Sequence, residues 1–163
     1  MTAVTGGLEI ERKFLVSRRP ADLERHPHSN LDQGYVALDP AGVEVRIRRQ
    51  DGEATLTIKG GRGRSRTEED VAIDPERFER LWALTERRRV AKTRYRIAAG
   101  AGLTIELDVY HGPLDGLLTA EVEFGSEAQA DAFTAPNWFG REVTGVDAYN
   151  NRRLAVDGRP ADT

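Results

Sequence analysis

The chain has 163 residues, 39% of them hydrophobic and 31% charged, with a net charge of −3. That length fits one domain with one core, and the apolar share, raised by 16 glycines, excludes a disordered chain. The absence of cysteine excludes disulfides, thiolate zinc sites, iron–sulfur clusters and a thiol nucleophile.

Strand-like alternation starts at Leu8–Val16, where Glu9, Glu11 and Lys13 oppose Leu8, Ile10 and Phe14, and Arg12 interrupts the apolar side. Residues 18–30 read as a helical turn and a loop containing Pro20, Pro27, His26 and His28. Gln33–Leu38 is a strand, Asp39–Gly42 a turn, and Val43–Arg49 a strand with Glu44, Arg46 and Arg48 on one face. The Asp51-Gly52 pair predicts a hairpin into Ala54–Lys59. Gly60–Arg64 lacks the ending of a phosphate loop and reads as a hairpin loop before Ser65–Ile73. Asp74-Pro75 opens a helix over 75–86. Val90–Ala98, Leu103–Tyr110 and Leu118–Phe124 complete eight strands. Ser126 and Gln129 form a capping box for a helix over 127–134, and Asp147 caps a last helix through Val156.

Seven of the eight strands carry charged residues spaced by two, including Lys59, Arg66, Glu68 and Asp70, Lys92, Arg94 and Arg96, Glu106 and Asp108, and Glu121 and Glu123. Only three of the 24 basic residues are lysine, and all three fall on these faces. Two arrangements fit the pattern: an antiparallel sheet with one wet face, or a closed barrel with the charges inside. In the second, acidic pairs offer oxygens to a hard divalent ion, and arginine and lysine suit a polyanion. The Arg87–Arg96 cluster is split by strand alternation, and the net charge is negative, so no nucleic-acid partner is expected. No apolar run is long enough to span a membrane, and Glu9 and Glu11 occupy the place of a signal peptide's apolar region. A cytoplasmic location is expected, and the oligomeric state is unknown.

Glu9-Ile10-Glu11-Arg12-Lys13 resembles the ExExK signature of the CYTH superfamily, the triphosphate tunnel metalloenzymes. Gln33-Gly34-Tyr35, Arg46-Ile47-Arg48, Thr57-Ile58-Lys59-Gly60, Ser65-Arg66, Lys92-Thr93-Arg94-Tyr95, Glu106-Leu107-Asp108, Glu121-Val122-Glu123-Phe124 and Glu142-Val143-Thr144 follow in the family's order. The likeness spans residues 8–156 as one domain, leaving 1–7 and 157–163 as tails. It implies a mainly β fold, an eight-stranded antiparallel closed barrel with a few flanking helices. It also implies hydrolysis of inorganic triphosphate, or a related triphosphate compound, with Mg2+ or Mn2+. Glu9, Glu11, Glu68, Asp108, Glu121 and Glu123 are then metal ligands. Lys13, Arg46, Arg48, Lys59, Arg66, Lys92 and Arg94 bind triphosphate, with Lys92, Glu11 and Lys13 catalytic. Tyr35, Asp70 and Glu106 stand behind these groups. The alternatives within reach of the same fold are a class IV adenylyl cyclase and a polyphosphate- or nucleotide-binding module without turnover. One departure is Val146-Asp147-Ala148-Tyr149, where the family often has a basic residue before the tyrosine.

Overall fold

A computed structural model describes residues 10–60 and 67–161. Glu9 and Arg66 lie outside the described residues, as do Leu8, Ser65, most of the 60–64 loop and the outermost tail positions. The described chain is mainly β, with strands β1 (Ile10–Val16), β2 (His28–Leu38), β3 (Glu44–Gln50), β4 (Glu53–Gly60), β5 (Thr67–Ile73), β6 (Arg89–Ala98), β7 (Thr104–His111), β8 (Leu118–Phe124) and β9 (Phe139–Glu142). The helices are α1 (Pro75–Trp82), α2 (Glu127–Ala132) and α3 (Asn151–Asp157). The expected eight strands are therefore nine among the described residues, and β5 and β9 each pair on one side only, so these pairings do not close a barrel. The extra strand is β9, four residues too short to carry an alternation signal. The chain divides into two compact units.

The first unit comprises residues 10–27, Tyr95–Asp108 and Leu118–Gly145. In it β1 lies between β8 and β9, antiparallel to both. Alternation sends Phe14, Ala120, Val122 and Phe124 to one face, where they pack with Ile105, Ala130 and Phe139. Phe139 lies 4.8 Å from Phe14, ring centroid to centroid, which explains why β9 forms where it does. Arg12 shares this face because it has specific partners there. Its guanidinium forks onto Glu142 with two 2.8 Å bonds, donates to the Ala130 carbonyl at 3.0 Å near the end of α2, and lies over the Phe14 ring. α2 is capped by Ser126 Oγ, which accepts from the Gln129 N–H at 3.1 Å. The return bond of the expected capping box instead runs from the Gly125 N–H to Gln129 Oε1.

The Arg12–Glu142 pair carries a testable consequence. The hydrogen bonds from Arg12 hold the Glu142 carboxyl down at about 2, with Thr144 adding to the effect. A depressed carboxylate contributes stability that is full above its ordinary value of 4.5 and is lost as pH falls toward about 2. Glu142 is 39% exposed, so solvent screening leaves the ion pair about 1 kcal/mol. With the lost carbonyl bond, Arg12→Ala is expected to cost about 2 kcal/mol at neutral pH. Thermal melts from pH 7 to 2 should show the gap between wild type and variant narrowing only below pH about 4.5.

The second unit comprises His28–Arg94, Val109–Leu117 and 146–161. Its strands β2, β3, β4 and β5 form an antiparallel meander in chain order. Asp51 and Gly52 both have positive φ, 51° and 91°, as a two-residue hairpin turn requires. Asp74 caps α1 by accepting from the Arg77 N–H at 2.8 Å, with Pro75 in the first turn. α1 covers the apolar face of the meander: Phe78 packs with Ile47 and Ala54, and Leu56, Ile73 and Trp82 flank them. Gly34 on β2 faces the buried Thr85, and a Cβ there would lie 2.6 Å from the Thr85 hydroxyl. α3 is capped by Asn150, whose side chain accepts from the Arg153 N–H, and not by Asp147, which opens a 3-10 turn at Asp147–Tyr149. His28, expected in a loop, lies in β2, and His111 ends β7, where its Nε2 is 2.8 Å from the Thr93 hydroxyl. No helix among the described residues is long and apolar enough to cross a membrane.

Candidate functional site

In the first unit, the register of β1 and β8 sets the carboxylates in place. Glu11 lies directly opposite Glu123, and Lys13 opposite Glu121. Directly opposed residues share a face, so these four side chains leave the sheet together, away from the Phe14 core. Lys13 is 9% exposed, and its Nζ lies 2.9 Å from Glu121 Oε1. Two expected roles, a triphosphate cation and a metal carboxylate, thus meet here in an ion pair. Glu11 and Glu123 are both exposed and place like charges across from each other. On β7, Glu106 is half-buried and Asp108 is 1% exposed.

In the second unit, three cross-strand rungs carry the cations. Glu44, Lys59 and Glu68 form one, Tyr35, Arg46, Thr57 and Asp70 the next, and Gln33, Arg48 and Thr55 the third. Lys59 lies 3.3 Å from Glu68, both partly exposed. Arg48 donates through Nε and Nη2 to Gln33 Oε1, at 3.1 and 2.8 Å. The fully buried Gln33 donates in turn from Nε2 to the Tyr35 hydroxyl at 3.0 Å. Burial, aided by the nearby Glu44 charge, pushes the Tyr35 phenol up to about 12, so it stays a neutral hydroxyl at working pH. Arg46 donates from Nη2 to Thr57 Oγ1, which donates to Asp70 Oδ1. Lys92 on β6 is 1% exposed, with its ammonium 5.5 Å from the centroid of the Tyr110 ring. The Tyr110 hydroxyl is held by Asn151 of α3 at 3.1 Å. Arg94, two residues along β6, is half-buried.

Of the expected metal ligands, Glu11, Asp108, Glu121 and Glu123 belong to the first unit, and Glu68 belongs to the second. Among the described residues no three His, Asp or Glu side chains are gathered as a metal site. The donors still fit a hard divalent ion in kind, being carboxylate oxygens throughout, and Glu11 and Glu123 stand directly opposite each other. Gln33, Thr57 and Tyr110 were not assigned roles from the sequence. For Thr57 and Tyr110 the signal was parity, since Lys59 and Asp108 sit two residues away on the same strand face; Gln33 has only Leu31 and Tyr35 at that spacing.

These features define a mainly β antiparallel protein whose polar strand faces carry cations and carboxylates. The chain belongs to the CYTH domain family, which matches residues 7–148. It is 47% identical over 148 residues to the inorganic triphosphatase of Nitrosomonas europaea, covering 91% of this chain and 97% of that protein. It is 37% identical over 152 residues to the inorganic triphosphatase of Acetivibrio thermocellus, covering 91% and 93%. The crystal structure of an inorganic triphosphatase superposes with a TM-score of 0.78 at 43% identity, over 92% of this chain and 95% of that one.

Proposed function

We propose that the protein is a divalent-metal-dependent hydrolase that splits inorganic triphosphate with water into pyrophosphate and phosphate, as a single catalytic domain over residues 8–156. The observation that carries the reading is the set of cationic rungs on β3 and β4, which offer two guanidinium forks and an ammonium on one face. Similarity to two inorganic triphosphatases supports the choice of substrate. Arg46, Arg48 and Arg94 grip non-bridging phosphate oxygens, since a planar fork matches them in pairs. Lys59 and Lys13 add compact charge, and Arg66 belongs with them. Lys92 sets a buried ammonium against the terminal phosphoryl group, where low dielectric strengthens its hold on charge that grows as the bond breaks. Tyr35 remains a neutral phenol that offers a hydrogen bond without adding charge. Glu9, Glu11, Asp108, Glu121 and Glu123 hold Mg2+ or Mn2+, with Glu68, Asp70 and Glu106 as further acids near the phosphates. When bound, the ion supplies Lewis-acid charge at the phosphoryl oxygens. The finer fold expectation belongs to the same proposal: the charged faces line a tunnel around the substrate.

Purified protein should release phosphate from tripolyphosphate only when Mg2+ or Mn2+ is added. No phosphate from any triphosphate with either metal would overturn the reading. Cyclic AMP among the products of ATP would move it to a cyclase, and calorimetric binding of tripolyphosphate without turnover to a binding module.

A further inference from the structure

Arg46 is held differently from the arginines of the apolar faces. Arg12 forks onto the carboxylate of Glu142, and Arg49 bonds those of Asp32 and Glu79. Arg46 instead meets a hydroxyl: its Nη2 donates to Thr57 Oγ1 at 3.2 Å. Thr57 is 1% exposed, and its single hydroxyl hydrogen goes to Asp70 Oδ1 at 2.5 Å. A threonine hydroxyl has one hydrogen and two lone pairs, so Asp70 settles which way it turns and leaves a lone pair facing Arg46. The three residues sit in register across β3, β4 and β5, with Thr57 opposite both of the others. Arg46 Nε is buried and has no hydrogen-bond partner among the described residues. Thr57 therefore fixes one edge of a guanidinium that still has an N–H to give, and a buried N–H of that kind calls for an oxygen acceptor.

We propose that Thr57, oriented by Asp70, is a positioning residue that aims the Arg46 guanidinium at a phosphate oxygen of the substrate. The proposal rests on the triphosphatase reading above and gives Asp70 a defined role at the Thr57 hydroxyl. Thr57 presents a neutral oxygen to Arg46, and the Asp70 carboxylate acts one hydroxyl away. The guanidinium is thus located while more of its charge remains for a polyanion than direct pairing with a carboxylate would leave.

The test compares wild type, Thr57→Val, Thr57→Ser and Asp70→Asn, each alone and combined with Arg46→Met. The readouts are KM and kcat for tripolyphosphate, calorimetric Kd for the same compound, and Tm. Thr57→Val keeps the branched shape and removes the hydroxyl, and is expected to raise KM and Kd about 10-fold with kcat within about twofold. Thr57→Ser restores the hydroxyl and should stay within about threefold of wild type. In the Arg46→Met background, Thr57→Val should add less than about twofold, because neighbours acting through one group are not additive. If Thr57→Val does not fold, Asp70→Asn on the exposed β5 carries the test, with a rise of about threefold in wild type and none beside Arg46→Met. Equal effects of Thr57→Val in both backgrounds, or unchanged KM and Kd in the single variant, would overturn the proposal. A wild type that binds tripolyphosphate without hydrolysing it would sink the enzymatic reading alone, since the same coupling is then read in Kd.

Discussion

Lys92→Met is expected to lower phosphate release from tripolyphosphate by about 10³-fold. Lys92 is 1% exposed, and its ammonium lies 5.5 Å from the centroid of the Tyr110 ring. An unbranched apolar side chain of similar length removes the charge and fills the same space. In the proposed reaction the charge would act from a side chain only 1% exposed, so its loss should be felt at full strength. Lys92→Arg should also fail, because a planar guanidinium needs more room than a 1% exposed ammonium occupies. Lys59→Arg should be mild, since that side chain is 39% exposed, and Lys13→Arg should fall between them. Wild-type turnover in Lys92→Met would remove this lysine from the reaction.

The second large effect is expected at the opposed carboxylates. Glu11→Gln should abolish nearly all metal-dependent turnover. In wild type, added Mg2+ or Mn2+ should raise Tm by mass action, and in Glu11→Gln that increment should shrink. Glu123→Gln should behave in the same way. A variant that keeps the full metal-dependent rise in Tm would place the ion elsewhere.

The faces of the strands were legible in the sequence, and their neighbours were not. A period of two puts Lys13, Glu11 and Glu123 on polar faces without any knowledge of pairing. Which residue stands opposite which is set by register between strands far apart in the chain. Hence Lys13 with Glu121, Lys59 with Glu68 and Thr57 with Arg46 emerge only from the folded chain. Arg12 illustrates the same limit. In sequence it breaks an apolar face, and its reason, Glu142, comes 130 residues later. Short local signals fared better: Asp74, Ser126 and the Asp51-Gly52 turn each act within a few residues, and each appears where the sequence puts it. Asp147 failed as a cap because Asn150, three residues on, offers a competing side chain next to the helix that forms.

The position of β1 between β8 and β9 has a consequence for synthesis. At roughly 5–20 residues per second, the ribosome takes about 7–25 s after making β1 to deliver the last of its partners. During that time the β2–β5 meander can assemble from local hairpins, while β1 waits with both edges open. An open strand invites pairing with other chains unless charges discourage it. Glu11, Arg12 and Lys13 sit side by side in that strand. Glu11 and Lys13, proposed above for metal and phosphate, would thus serve with Arg12 as gatekeepers against aggregation on the nascent chain.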